Sequence, residues 1–294
     1  MANTALALAG TAMFGCGKPK DASTEAAGSA ATASGKPMGI QLYTLRDVLK
    51  DSSKVKDTIR QLADWGYTEL ETFGYSNGNL FGMPSKEFND YVKSVGARVT
   101  SGHYGIDVIR GDWARAVADA QAAGQDFMVL PWIDQATRTY DGYKKIIEDV
   151  NKAAEATKAA GIKMQYHNHD FEFQKPGGDQ EGNGEATGFD ILMEGLDPNL
   201  VSLELDLYWV IRAGQDPAQL ISKYPGRFEQ WHVKDMDKSD QAKNAHVGSG
   251  SIDFKQLFTL ASQSGMKHWY VEYDTFPEDP MTGAQKSIEY LKTI

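Results

Sequence analysis

The chain has 294 residues, 41% of them hydrophobic, and a formal charge of −10. That is enough apolar mass for one large α/β domain. No long Lys/Arg run supplies the basic stripe that a nucleic-acid backbone requires, and the single cysteine, Cys16, excludes an intramolecular disulfide and a cysteine-built zinc cage.

Residues 5–16, ALALAGTAMFGC, are small and apolar, too short to span a bilayer, and end in Gly-Cys before a charged, Ala/Ser/Gly-rich stretch. The segment resembles the end of a bacterial lipoprotein signal, although no Lys or Arg precedes it. The resemblance implies a lipid anchor at Cys16 as the one link to a membrane, and a place in the periplasm or outer membrane; an unprocessed chain belongs in the cytoplasm. Residues 17–37 are too poor in large apolar groups to fold and read as a tether. The expected division is therefore 1–37, signal remnant and flexible linker, and 38–294, the folded domain.

From residue 38, short β-rich runs alternate with longer segments of helical period, which predicts repeated βα units and a parallel sheet. The expected strands are GIQLYTL (39–45), YTELETF (67–73), RVTSGHY (98–104), DFMVLPW (126–132), IKMQYHNH (162–169), VSLELDLYW (201–209), FEQWHVKD (228–235) and KHWYVEYD (267–274). Between them SKVKDTIRQLADWG, DWARAVADAQAAG and YKKIIEDVNKAAEATKAAG carry apolar residues at three-and-four spacing and end in a glycine suited to a left-handed cap. Eight such units over this length predict an α/β fold of (β/α)8 TIM-barrel type. No phosphate-binding glycine turn follows the first strand, which argues against a doubly wound dinucleotide fold.

In a barrel the chemistry sits at the C-terminal ends of the strands. Those ends carry Glu71, His103, His167, His169, Asp206, His232, Lys234 and Glu272. Alternation along a strand puts Gln165, His167 and His169 on one face, pairs Glu204 with Asp206 and His232 with Lys234, and turns Leu203 and Leu205 toward the helices. Asp206, His232 and Glu272 from three successive strands thus converge on one mouth, an oxygen-and-nitrogen set suited to one divalent ion, Mn, Zn, Co or Mg. Each of these residues alone reads equally as a hydrogen-bonded strand end.

Taken in order, QLYTLRD, GYTELETFGY, SGHYG, YHNHDFEF, LDLYW, HVKD, HVGSGSIDF and VEYD resemble the sugar isomerase/epimerase superfamily with xylose-isomerase-like barrels, over residues 38–294. The resemblance implies metal ligands Glu, Asp, His and Glu on the last four strands, and three of them fall on Asp206, His232 and Glu272. The fourth position holds Gln165, whose amide ligates through its carbonyl but accepts no proton. The carboxylate pair that such isomerases place on either side of the substrate is therefore broken. His167 or His169 is expected to complete the metal sphere or act as base beside Glu272, and Glu172 to hold a histidine tautomer. Lys234 is expected to polarise a carbonyl or bind a carboxylate. Glu71, His103, His246 and Trp209 are read as substrate contacts, and the glycines of HVGSGSIDF as backbone that lets a ligand approach.

Three functions follow. The first is a metal-dependent isomerase or epimerase acting on a free sugar or keto-sugar through an enediolate. The second is a lyase or hydratase that eliminates across a 3-keto-glycoside or related keto-sugar, which the broken carboxylate pair favours. The third is a non-catalytic sugar-binding lipoprotein. The partner in each case is a small sugar; a homo-oligomer is left open.

Overall fold

The computed structural model describes residues 37–177, 185–275 and 279–294. The tether and Cys16 lie outside the described residues.

Eight parallel strands close into a barrel with each strand beside its neighbour in sequence: β1 Gly39–Gln41, β2 Glu69–Thr72, β3 Arg98–His103, β4 Phe127–Leu130, β5 Lys163–His167, β6 Val201–Asp206, β7 Phe228–Val233 and β8 His268–Val271. All eight coincide with the expected runs and are shorter than them. Outward residues such as Ile40, Leu70, Leu203, Leu205, Trp231 and Val271 are fully or almost fully buried under the helices, the pattern of a parallel sheet covered on its outer face.

The helices form for local reasons. In α1 (Val55–Trp65) the buried residues Val55, Thr58, Ile59 and Leu62 make one stripe, and Gly66 closes it at φ 103°, a conformation that costs a residue with a Cβ. In α2 (Trp113–Ala123) the Asp112 carboxylate accepts from the Arg115 N–H and Gly124 ends the helix in the same left-handed manner. α3 (Tyr140–Ala159) buries Tyr143, Ile146, Val150, Ala153 and Ala154 against the barrel.

Two expected strand ends are helical: Leu42–Leu45 after β1 form a 3-10 turn, and the run after β6 forms an α-helix. Residues 207–209 open α4 (Leu207–Arg212), because the Asp206 carboxylate turns back to accept the N–H of Trp209 and caps it. The alternating face of β6 therefore stops at Asp206, and Trp209 swings over the mouth on a helix.

Candidate functional site

Polar side chains inside the barrel form two tiers at the C-terminal end. In the lower tier Glu71 accepts from Gln41 Nε2 at 2.8 Å and from Ser101 Oγ at 2.6 Å, and lies 2.7 Å from His232 Nε2. Beside it, one oxygen of Glu204 meets three imidazole nitrogens: His103 Nε2 at 3.0 Å, His167 Nδ1 at 3.0 Å and His232 Nε2 at 3.1 Å. Glu71, Glu204 and His232 are wholly buried.

The upper tier uses the opposite nitrogens of the same rings. His232 Nδ1 lies 2.7 Å from Glu272 Oε2 and 3.8 Å from Asp206 Oδ2, while His167 Nε2 lies 3.9 Å from Asp206 Oδ2. Asp206, His232 and Glu272 offer ligand atoms within 4.8 Å of one another. Asp206 Oδ2 is buried without a hydrogen-bond partner, and its nearest cation, Lys234 Nζ at 2.9 Å, makes an ion pair off hydrogen-bond geometry. Two carboxylates and two imidazoles around an unsatisfied oxygen suit a borderline divalent ion, and carboxylates behind the histidines fix which nitrogen faces it.

Burial raises the Asp206 carboxyl to about 6 despite Lys234. Burial pushes Glu272 up too, but Lys234 and His232 outweigh it and hold that carboxyl well below the usual range. Burial opposes a charge on His103, yet Glu71 and Glu204 raise it to about 10. Burial lowers His167 well below the ordinary histidine value, helped by His232, and lowers His169 in the same way, helped by Lys234. His167 and His169 are therefore neutral, while His103, held between Glu71 and Glu204, keeps a positive charge that balances those carboxylates.

Above the upper tier opens a cavity of about 670 Å³ lined by Tyr43, Phe73, His103, Trp132, Arg138, His167, His169, Phe171, Trp209, Glu272 and Asp274 among others. The His169 ring is boxed by Trp132 at 4.8 Å, Phe171 at 5.6 Å and Trp209 at 5.2 Å between centroids. Its Nδ1, like Trp209 Nε1, is buried without a partner.

The structure brings Asp206, His232, Glu272, His167, His103 and Glu71 together, and puts His169 and Trp209 on the cavity wall. Other expectations need correcting. Gln165 is one pleat below His167 and fully buried; its NH2 donates to Ser202 Oγ at 2.8 Å and its carbonyl oxygen has no hydrogen-bond partner, while the strand-five group that faces Asp206 is His167. Lys234 is wholly buried and absent from the cavity lining, its ammonium held by Glu272 and Asp274 at 2.7 Å and by Asp206. It is a counter-ion of the cluster, not a group presented to substrate. Glu71 lies beneath the imidazoles, behind His232 instead of against a ligand.

His246 lies outside the cavity lining, with its carbonyl accepting from Ser249. The glycine loop beside it wraps the Asp235 carboxylate, which accepts from the N–H groups of Gly248, Gly250 and Ile252. A Cβ on Gly250 would stand 2.2 Å from Asp235 Oδ1, so the close approach the glycines permit is to a protein carboxylate. Glu172 holds the Tyr166 hydroxyl and the His169 backbone N–H, not an imidazole. Sequence reasoning gave Glu204 no role, although its parity with Asp206 pointed inward. Arg138 was missed because it sits on a loop where no periodicity speaks; its guanidinium lies 3.4 Å from the Phe171 ring centroid and 4.5 Å from that of Trp132.

A closed (β/α)8 barrel whose strands β5 to β8 bring two imidazoles and two carboxylates to its C-terminal mouth defines the class: a TIM barrel with a site fit for one divalent ion. Residues 59–294 match the model of the xylose isomerase-like TIM barrel, and the chain belongs to that family. Among solved structures it is similar to a sugar phosphate isomerase/epimerase from Parabacteroides distasonis ATCC 8503, at 30% identity and a TM-score of 0.76, over 90% of this chain and 96% of the other. A second sugar phosphate isomerase/epimerase from that organism matches at 26% identity and a TM-score of 0.76, over 88% and 99%. Among curated proteins it is similar to the inosose dehydratase of Clostridium tetani, 27% identical over 175 residues, 52% of this chain and 55% of the relative. The chain thus spans about half the length of the curated relatives it matches.

Proposed function

We propose that the protein is a metal-assisted lyase that eliminates water or an alcohol from a polyhydroxylated ring ketone. The observation that carries this reading is His169, a neutral imidazole on the cavity wall beside the metal-competent cluster, with a buried ring nitrogen that no protein group satisfies. The similarity to inosose dehydratases supports the same class.

Asp206, Glu272, His232 and His167 would hold the ion, which supplies positive charge next to a substrate carbonyl oxygen. His169 removes the proton from the carbon beside that carbonyl. The C–H electron pair becomes a C=C bond, the C–O bond on the next carbon breaks with its pair on oxygen, and His169 returns its proton to the departing oxygen. The products are an unsaturated ketone and water or an alcohol, with no redox partner. The rings of Trp132, Phe171 and Trp209 keep the imidazole neutral by excluding water. Glu71 and Glu204 hold the two ligand histidines in one tautomer.

An isomerase or epimerase is the second reading, favoured by the similarity to the Parabacteroides structures and by the carboxylate of Glu272 at the mouth. It requires a second proton-transfer group across the substrate from Glu272, a part that Gln165, buried below the mouth, does not take and that His167 or His169 would have to fill. Product mass separates the two: metal-loaded protein incubated with inosose or a keto-glycoside should release water or an alcohol, and a product of unchanged mass would move the assignment to isomerase. Replacing His169 by Asn should cut turnover by roughly 10²–10⁴ while leaving metal content intact. Absence of bound metal and of any product would leave the non-catalytic sugar-binding reading.

A further inference from the structure

The cavity does not end at the ring site. Tyr43, Phe73 and Gly74 form its edge and also line a second groove of about 740 Å³, continued by Arg46, Leu49, Lys50, Ser76, Asn79, Phe81 and Gly82. Along it the aromatic rings follow one another edge to face, Tyr43 to Phe73 at 5.2 Å and Phe73 to Phe81 at 5.2 Å. Tyr43 is 39% exposed at the junction, and a hydrophobic wall open on one side is where a ligand ring gains most by stacking.

The turn that supplies Phe81 gives a second, independent observation. Residues Asn79–Leu80 pair with Met83–Pro84 in a two-residue hairpin, and both turn residues have positive φ, Phe81 at 52° and Gly82 at 81°. Turns of this kind take Asn or Asp followed by Gly; a bulky aromatic there is an outlier. A strained residue that persists where an unstrained one would serve the turn marks a position selected for what its side chain does. Here the side chain is a half-buried ring lining the groove, packed edge to face against Phe73.

Three of the polar side chains along the rim are already engaged. Arg46 donates to the carbonyls of Tyr43, Tyr273 and Asp274. The Asn79 amide donates to those of Ser76 and Asn77, and Lys50 pairs with Asp47. What the groove presents to a ligand is chiefly ring surface, which suits an aromatic group better than a second hydroxylated sugar.

We propose that the groove over Tyr43, Phe73 and Phe81 is the leaving-group subsite, and that the substrate is a glycoside whose aromatic aglycone lies there while the sugar ring occupies the metal-side cavity. This rests on the elimination reading, in which the departing oxygen carries an alcohol instead of being lost as water.

The test is a binding measurement that needs no turnover. Phenyl β-D-glucopyranoside, methyl β-D-glucopyranoside and cellobiose are titrated by calorimetry into metal-loaded protein, wild type beside Phe81→Asn and Tyr43→Ala. Asn is at home at φ 52° and keeps the turn; Tyr43 is exposed, so its loss spares the fold. The phenyl glycoside should bind roughly five- to tenfold tighter than the methyl glycoside, and both variants should lose that advantage. Equal affinities, no binding of either, or an advantage that survives both substitutions would overturn the proposal. Tighter binding of cellobiose would overturn the aromatic occupant in favour of a sugar. A protein that binds the phenyl glycoside tightly yet releases no fragment from any keto-glycoside sinks the elimination reading and with it the leaving-group role, and leaves the groove only its aromatic occupant.

Discussion

At the residue scale the site is organised by the two nitrogens of each imidazole. His232 gives Nδ1 to the Asp206–Glu272 side and Nε2 to Glu71, and His167 gives Nε2 to Asp206 and Nδ1 to Glu204. A carboxylate behind a ligand histidine fixes its tautomer and raises its basicity. Glu71→Gln keeps the shape and the contacts to Gln41 and Ser101 while removing the charge. It is expected to weaken divalent-metal affinity roughly 10- to 100-fold, measured by competition with a chromogenic chelator. An unchanged affinity would reduce Glu71 to a packing role. Asp206, His232 and Glu272 were legible from strand parity alone. The depth of Gln165 was not legible: parity tells which face a residue is on, not how far along the barrel axis it sits, and the register that pairs His167 with Glu204 puts Gln165 beside Ser202.

At the element scale, the exit of β5 is built around a buried acid. Glu172 is fully buried, accepts from the Tyr166 hydroxyl at 2.7 Å and the His169 N–H at 2.8 Å, and burial pushes its carboxyl up to about 8. A raised acid value means the folded state keeps a proton that the unfolded chain has already lost. Glu172 therefore contributes stability that is full below the ordinary value near 4.5 and is lost as pH rises to about 8. Glu172→Gln keeps the His169 N–H bond on its carbonyl, turns its NH2 to the Tyr166 hydroxyl oxygen and removes the titration. Between about pH 5 and about pH 8.5 the melting temperature of the wild type should fall relative to the variant by on the order of 5 °C, then run parallel. A constant difference across that range would mean Glu172 is ionised throughout. The element signals were largely readable, as the glycine caps at Gly66 and Gly124 show. The run LDLYW misled because apolar residues after a strand look like more strand; only the side chain of Asp206, folding back onto the Trp209 N–H, turns them into a helix.

At the scale of the whole molecule, one ion would join the ends of four strands spread over about a hundred residues of sequence, His167 to Glu272. Glu71, Glu204, Asp206 and Glu272 gather around three histidines and Lys234 inside the barrel, and an added divalent charge relieves their mutual repulsion. At about a hundredfold excess over Kd such an ion should stabilise the fold by about 2.7 kcal/mol, or roughly 5–10 °C in Tm. Scanning calorimetry with Mn, Zn, Co or Mg, and after chelation, measures it. The shift should vanish in Asp206→Asn, and a persistent shift there would place the ion elsewhere.

The sequence by itself determined the barrel and the face that carries its chemistry. Strand alternation, helical spacing and glycine stops are local properties, and eight of them in succession admit few closed arrangements. Tertiary structure alone decided which polar groups meet. His103 and Glu204 are 101 residues apart, and His232 and Glu71 are 161 apart; their contacts depend on barrel closure and on the stagger between strands. The same holds for Lys234, which lines one face with His232 in the chain yet faces carboxylates from two other segments in the fold. Long-range register is set by packing all eight strands at once, and no short stretch of sequence encodes it.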